Sequence, residues 1–109
     1  VLGLAYKPDI DDDRESPSYE IIELARDAGA EVSYCDPYFP VARKTRRHDV
    51  NLESVPCDAD AFAGFDAIVI ATAHTQFRDP SLYARVPLVV DSRNVLSTRA
   101  GGITRVVRA

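Results

Sequence analysis

Apolar and polar positions follow a pattern along the chain that predicts strands separated by helices. Short apolar runs are typical of strands buried in a parallel sheet. Five such runs cover residues 1–6, 30–35, 66–71, 88–91 and 103–107. The pattern predicts an open, doubly wound, mostly parallel α/β sheet with helices on both faces, forming a single three-layer domain of the Rossmann-like class over residues 1–109.

Helix signals lie between these runs. Ser16 followed by Pro17 is typical of a helix start, with serine as the N-cap and proline at the first helical position. Gly29 is a natural stop for this helix. Its predicted buried stripe, taken from residues at helical spacing, consists of Ile21, Leu24, Ala25 and Ala28. A short helix is predicted over residues 58–65, and a helical or turn segment broken by a proline over residues 75–84.

Composition and charge exclude several classes of protein. The 109 residues are 46% hydrophobic and 28% charged, which is ordinary for one soluble domain. No apolar run approaches the roughly 20 residues that cross a bilayer, so we expect no membrane partner. The net charge of −4 argues against nucleic acid, whose binding needs basic surface. Residues 85–109 are nevertheless positive, which leaves room for a small anionic ligand.

The chain carries two cysteines, and because no charged-then-apolar segment opens the printed sequence, we expect no secretion. Cys35 and Cys57 are therefore expected to be unpaired thiols in a reducing, cytoplasmic compartment. Val1 stands where an initiator methionine would be, and the first residues read as the middle of a strand. We therefore expect the chain to be part of a longer protein.

Candidate ligand-binding residues follow the predicted strands, because open α/β sheets bind ligands beyond the carboxyl ends of their strands. Tyr6 and Lys7 follow the first strand, Arg14 lies further along the same loop, and Arg93 follows the run that ends at residue 91. Cations beside an aromatic ring suit a phosphate-bearing ligand with a stackable base. The alternative is that Lys7 and Arg14 only balance the carboxylates of a solvated loop.

Other motifs indicate little chemistry. The acidic set Asp9, Asp11, Asp13 and Glu20 is similar to a calcium loop, but Arg14 replaces its glycine and Pro17 interrupts it, so we expect no metal. His74 follows a strand without an identifiable acidic partner, which favours a structural histidine over a catalytic one. No G-x-G-x-x-G occurs. The basic cluster at residues 43–47 is interpreted as a solvated loop, with a partner or phosphate contact as the lesser alternative.

Several blocks together resemble a known family. The segment Gly3–Ser18 closely resembles the start of the C-terminal domain of the UDP-glucose/GDP-mannose dehydrogenase family. The resemblance continues, in the family's order, through Gly29–Val32, Asp36–Tyr38, Asp66–His74 and Val90–Leu96. It therefore extends over most of the chain.

The resemblance implies the UDP-sugar-binding domain of an NAD-dependent enzyme that oxidises the C6 alcohol of a nucleotide sugar to a carboxylate through a cysteine thioester. The cysteine, the glycine-rich NAD motif, an NAD domain and a dimer-forming linker would lie upstream. We therefore expect this chain alone to be inactive. In the full-length enzyme its partner would be the enzyme's own NAD domain, and we expect that enzyme to form a homo-oligomer. The resemblance is greatest to the UDP-N-acetylhexosamine dehydrogenases, with UDP-glucose as the second substrate to consider.

The resemblance also assigns roles to residues. Tyr6, Lys7 and Arg93 fall where the family contacts the nucleotide sugar, and Arg14 falls where it reaches the NAD. No catalytic residue is expected in this chain. Two alternatives stay open at this point: a structural or oligomerisation module that binds no ligand by itself, and a free-standing nucleotide or phosphate sensor.

Overall fold

The computed structural model describes residues 1–5, 8–9, 16–42, 50–96 and 105–108. Its α-helices are α1 (Pro17–Asp27) and α2 (Ala59–Phe62). Two 3-10 helices follow over Thr75–Arg78 and Pro80–Tyr83. The strands are β1 (Ile68–Ile70), β2 (Leu88–Asp91) and β3 (Arg105–Arg108). Strands form at three of the five predicted runs, 66–71, 88–91 and 103–107, whereas the described residues of runs 1–6 and 30–35 contribute only single bridges to the sheet.

The sheet is parallel, and its strand order reverses at the first segment of the chain. β2 lies between β1 and β3, with Val89 opposite both Ile68 and Val106. Single parallel bridges extend the sheet past β1: Leu2 pairs with Ile70 on one side and Cys35 on the other, and Tyr34 pairs with Ser54. In chain order the six segments therefore run third, second, first, fourth, fifth, sixth across the sheet, which is the order of doubly wound dinucleotide-binding folds.

Helix α1 begins and ends as its sequence predicts, but it buries a different face. The Ser16 hydroxyl accepts a hydrogen bond from the Ser18 N–H at 3.2 Å, and Gly29 takes a φ of +96° after the helix. The buried residues are Ser18, Tyr19 and Ile22. The predicted stripe is wrong, since Leu24 is 62% exposed and Ala28 is also exposed. Ser18 can occupy the buried face because its hydroxyl donates to the carbonyl oxygen of Gly3 at 2.6 Å.

Two hydrophobic clusters form the core, one on each face of the sheet. Tyr34 and Cys35 are adjacent in an extended segment, and they belong to different clusters, as the two-residue repeat of extended chain requires. One cluster contains Phe62, Phe77 and Tyr83, which α2 and the 3-10 helices contribute. The other contains Tyr19 and Ile22 of α1. Helices therefore cover both faces, and the predicted fold class is confirmed.

The two cysteines are joined in the structure. Cys35 and Cys57 form a disulfide, with their Cα atoms 5.9 Å apart. The expectation of two unpaired thiols is therefore wrong. A separation of 22 residues carries no information about distance, and it is the folding of the segment before α2 onto the second sheet segment that brings the sulfur atoms together. The argument for a reducing compartment loses this support.

No helix in the described part of the chain has the length and apolar character needed to cross a membrane.

Candidate functional site

The carboxyl ends of the Leu2 segment and β1 lie side by side where the strand order reverses. The N–H groups of Ala71 and Thr72 both donate to the carbonyl oxygen of Leu2, at 2.8 and 3.1 Å. The Thr72 hydroxyl donates to the carbonyl oxygen of Ala5 at 2.7 Å. A Cβ on Gly3, whose φ is +97°, would lie 2.3 Å from Cβ of Thr72, so this approach requires glycine. Ligands of open α/β sheets bind at such a reversal, which makes this edge the candidate site.

Asp36 is buried at this edge, and its carboxylate takes part in four hydrogen bonds with residues in the described part of the chain. Its Oδ2 accepts from the backbone N–H groups of Leu4 at 2.6 Å and Ala5 at 3.0 Å, and lies 2.9 Å from Nε2 of His74. Its Oδ1 accepts from the Tyr38 N–H at 2.8 Å. Burial alone would raise the pKa of Asp36, but the hydrogen bonds, led by that from His74, outweigh it and the pKa is lowered. The charged carboxylate thus fixes the chain just after the Leu2 segment.

His74 joins Asp36 to the loop that begins after Ala5. The imidazole is fully buried, and its Nδ1 accepts a hydrogen bond from the Asp9 N–H at 2.7 Å. The ring proton therefore lies on Nε2 and is donated to Asp36. His74 is a structural histidine, as the sequence predicts. The expectation that it has no acidic partner is wrong, because Asp36, distant in the chain, ends the sheet segment on the other side of the Leu2 segment from β1.

Asp9 completes this network on its outer side. Its backbone has a φ of +59°, and its carboxylate accepts from the Thr75 N–H at 2.8 Å and from the Thr75 hydroxyl at 2.6 Å. These hydrogen bonds lower the pKa of Asp9. The three residues Asp9, Asp36 and His74 are called the clasp below. The clasp connects the first loop, the second sheet segment and the end of β1.

Arg93 follows β2 at the same edge of the sheet. Its Nε donates to the carbonyl oxygen of Ala71 at 2.9 Å, and its backbone N–H donates to Asp91 Oδ1 at 3.3 Å. Asp91 is buried and also accepts from the N–H groups of Val95 and Leu96, each at 2.9 Å. Within the described ranges no residue partners the two terminal nitrogens of Arg93, whose side chain is exposed. The guanidinium is thus held at Nε and can donate from its outer end.

The other predicted site residues do not fall within the described residues. Tyr6, Lys7 and Arg14 lie outside them, as does the basic cluster at residues 43–47. Of the acidic set similar to a calcium loop, Asp11 and Asp13 also lie outside, whereas Asp9 binds Thr75. No group of three metal-ligating side chains occurs among the residues that the structure describes.

Sequence reasoning missed Asp36 as a site residue. The signal that could have found it is its place directly after a predicted strand and before Pro37, since strand ends share one edge of a parallel sheet. The same rule did find Arg93 and His74.

Comparison with known proteins agrees with this architecture. Residues 1–98 match the UDP binding domain of the UDP-glucose/GDP-mannose dehydrogenase family. A UDP-N-acetyl-D-mannosamine dehydrogenase of Pyrococcus horikoshii is 40% identical over 101 residues, which are 88% of this chain and 21% of that protein. A UDP-glucose 6-dehydrogenase of Rhizobium meliloti is 36% identical over 104 residues, covering 87% of this chain and 22% of that protein.

Solved structures show the same fold. The structure of UDP-D-ManNAc dehydrogenase from Pyrococcus horikoshii superposes with a TM-score of 0.70 at 33% identity, over 97% of this chain and 24% of that one. The native structure of the UDP-N-acetyl-mannosamine dehydrogenase Cap5O from Staphylococcus aureus gives 0.71 at 26% identity, over 98% of this chain and 24% of that one. The chain thus spans less than a quarter of each of these relatives. On the match over residues 1–98, it belongs to the UDP-glucose/GDP-mannose dehydrogenase family and corresponds to its UDP binding domain.

Proposed function

We propose that this chain binds the uridine diphosphate portion of a UDP-sugar and presents it to an NAD-dependent 6-dehydrogenase of which it is one part. The reaction converts the sugar C6 alcohol to a carboxylate by two hydride transfers, with a thioester on a cysteine outside this chain. Cys35 and Cys57 are excluded from that role, because both sulfur atoms are held in a disulfide. The work of this chain is therefore to bind and orient the substrate.

The observation that carries the proposal is the held guanidinium of Arg93 at the carboxyl edge of the sheet. Its Nε is fixed on the carbonyl oxygen of Ala71, so little side-chain freedom is lost when a ligand binds. Its outer nitrogens form a planar fork that suits a diphosphate or a sugar oxygen. The neighbouring Asp91 accepts backbone N–H groups, which fixes the turn from which Arg93 projects.

Tyr6 and Lys7 are proposed as the second half of the substrate site, with Lys7 as a point charge on phosphate or sugar oxygens. Support comes from the described residues on either side of them in sequence, since the Ala5 N–H donates to Asp36 and the Asp9 N–H donates to His74 at the same edge. Arg14 is proposed to contact NAD. The chain itself has no G-x-G-x-x-G, so NAD, which accepts the hydride, would be held mainly by another domain.

The wider assembly follows the same proposal. Residues 1–109 form one UDP-sugar domain, which joins an NAD domain upstream and assembles as a homo-oligomer in the cytoplasm. The relatives named above act on UDP-N-acetyl-D-mannosamine and on UDP-glucose, so the uridine diphosphate is what their substrates share. A UDP-N-acetylhexosamine is proposed as the substrate, and UDP-glucose is the second substrate to be tested.

Titration of the ¹⁵N-labelled 109-residue chain with UDP, followed by calorimetry and NMR, tests the proposal. We expect amide shifts concentrated at residues 71–74 and 92–94, and the same titration with the two UDP-sugars then ranks the sugars. Arg93→Gln removes the guanidinium fork and is expected to weaken binding roughly tenfold, the effect of losing about one charge-assisted hydrogen bond. Arg93→Lys keeps the charge but not the fork, so its affinity for UDP is expected to lie between those of the wild type and Arg93→Gln.

Arg85→Gln is the matched control. It removes the same charge from an exposed ion pair with Asp60, away from the candidate site, and is expected to leave UDP binding unchanged. Equal weakening by Arg85→Gln and Arg93→Gln would mean that only net charge matters, and would contradict the role of Arg93. The absence of any shift at millimolar UDP would favour the alternative of a structural module.

A further inference from the structure

We infer that His74 is a positioning residue for the UDP site, acting as a hydrogen-bonded bridge that joins Asp36 to Asp9 at the carboxyl edge of the sheet. This inference rests on the proposed function. It assigns to His74 no contact with substrate and no proton transfer. It assigns to the clasp the task of holding the chain on both sides of Tyr6 and Lys7 in sequence.

The direction of the hydrogen bonds at His74 fixes which ring nitrogen carries the proton. A backbone N–H can only donate, so the Asp9 N–H at 2.7 Å requires a lone pair on Nδ1 of His74. The remaining ring proton is then on Nε2, which faces Oδ2 of Asp36 at 2.9 Å. Each ring nitrogen is thus occupied, and the ring lies between Tyr38 and Phe77 at centroid distances of 5.0 and 5.3 Å. A fully buried, doubly occupied imidazole has no free atom with which to act on a ligand.

The two carboxylate residues that His74 joins lie on different parts of the chain. Asp36 holds the N–H groups of Leu4 and Ala5, which come directly after the Leu2 segment. Asp9 lies four residues beyond Ala5 and bonds His74 through its backbone rather than through its carboxylate. Ala5 and Asp9, which lie on either side of Tyr6 and Lys7 in sequence, are therefore held by one buried network, so a ligand does not have to supply the free energy of ordering these two residues.

Thr75 completes the hydrogen-bond network on its solvent-exposed side. The Asp9 carboxylate accepts from both the N–H and the hydroxyl of Thr75, the residue after His74. The backbone at Asp9 has a φ of +59°, a conformation that non-glycine residues adopt when local hydrogen bonds support it. Asp9 and residues 74–75 are thus joined through both backbone and side-chain hydrogen bonds, which fixes the position of Asp9 relative to the end of β1.

The charged and titratable groups around His74 are consistent with a bridge. The carboxylates of Asp36 and Asp9 lie at its two nitrogens, the second with Oδ1 at 3.8 Å from Nδ1, and Arg78 acts electrostatically on Asp9. Among the residues that the structure describes, Tyr38 is a further titratable group in contact with the ring. No thiol or hydroxyl nucleophile among the described residues is hydrogen-bonded to either ring nitrogen, as an acid–base role in nucleophilic catalysis would require.

The test compares His74→Phe with His74→Gln in the 109-residue chain. Phenylalanine preserves the aromatic packing but makes neither hydrogen bond, whereas glutamine offers an acceptor and a donor in the same 1,3 relation as the imidazole nitrogens. We expect His74→Phe to weaken UDP binding about tenfold, the effect of losing about one well-placed hydrogen bond. We expect His74→Gln to bind UDP nearly as tightly as the wild type, because its amide can restore the hydrogen bonds. Tyr83→Phe, which removes a buried hydrogen bond to Phe77, is the control for lost stability alone.

Two measurements without ligand accompany the titration. Long-range ¹H–¹⁵N spectra of the imidazole are expected to show the Nε2–H tautomer near neutral pH, and amide exchange at Ala5 and Asp9 is expected to accelerate in His74→Phe but not in Tyr83→Phe. An Nδ1–H tautomer, an unchanged amide exchange at Asp9, or a His74→Phe variant that binds UDP like the wild type while unfolding more easily would overturn the inference.

A failure of the proposed function looks different from a failure of this inference. A wild-type chain that does not bind UDP contradicts the function. The tautomer of His74 and the amide exchange then decide whether the clasp holds Ala5 and Asp9 in place. A wild-type chain that binds UDP while His74→Phe binds equally well contradicts the positioning role and leaves the function standing.

Discussion

Replacement of Asp36 by asparagine is the perturbation whose cost the structure defines most closely. Asparagine has the same shape but only one acceptor oxygen. Placed at Oδ2, that oxygen still serves Leu4, Ala5 and His74, but the amide group at Oδ1 then meets the Tyr38 N–H, which donates at 2.8 Å in the wild type. The alternative rotamer turns the amide toward three donors and is worse.

The expected cost is about 3 kcal/mol of the free energy of unfolding. An unsatisfied buried N–H costs about 1–3 kcal/mol, and the remaining bonds lose their charge-assisted strength, while relief from burying a carboxylate offsets part of the loss. A domain of this size is stabilised by about 5–15 kcal/mol, so the loss is a large fraction of the total. It corresponds to a decrease of roughly 15 °C in Tm.

The effect also depends on pH, with a definite sign. The pKa of Asp36 is below its ordinary value of 3.8 in the folded chain, so its carboxylate contributes stability that is fully present above that value. The contribution is lost as the pH falls below 3.8 through the lowered folded pKa. The difference in stability between wild type and Asp36→Asn is therefore expected to be largest above this range and to shrink in acid.

Urea unfolding followed by circular dichroism across this pH range measures the difference directly. Asp79→Asn is the control, because Asp79 is an exposed helix cap on Ser81 and asparagine caps as well as aspartate does. A loss below about 1 kcal/mol at neutral pH, the typical net value of one hydrogen bond, would refute the assignment of Asp36 as a hub for several donors. A difference that persists undiminished in acid would refute the assignment of its charge.

Three further outcomes are expected. Gly3→Ala would place Cβ 2.3 Å from Cβ of Thr72 at a φ of +97°, so thermal unfolding should show a loss of more than about 3 kcal/mol, beyond the ordinary range of single substitutions; a neutral result would contradict the close approach. Leu24→Ala should change stability by less than about 0.5 kcal/mol, because the side chain is 62% exposed; a loss as large as that of a core leucine would restore the predicted stripe. Reduction of the Cys35–Cys57 disulfide should cost about 3 kcal/mol from a loop of this length, and thiol titration of the unfolded, unreduced chain should find no free thiol.

The sequence predicts elements well where local chemistry decides them. Ser16 and Pro17 start α1 and Gly29 ends it because capping involves neighbours in the chain. β2 coincides with its predicted run, because a short apolar run in an α/β fold usually forms a buried strand. The strand-end rule also identified Arg93, because it depends only on where a strand stops.

The sequence fails where the decision is made by distant residues. The buried face of α1 includes Ser18 instead of Leu24, because the carbonyl oxygen of Gly3 satisfies the serine hydroxyl. Asp36 and His74 are 38 residues apart, and no spacing rule connects them. The disulfide depends in the same way on how the segment before α2 folds back.

The central position of the Leu2 segment has a consequence for how the domain folds. Its partner at Cys35 follows after one helix, but its partner at Ile70 is slightly more than twice as far along the chain. During synthesis the middle of the sheet therefore waits with one edge unpaired until β1 emerges, and an unpaired strand edge can bind other chains. Contacts of such long sequence separation also slow folding. The edge that waits for β1 is the one that leads to the candidate site, so aggregation of nascent chains and completion of this part of the sheet compete for the same backbone groups.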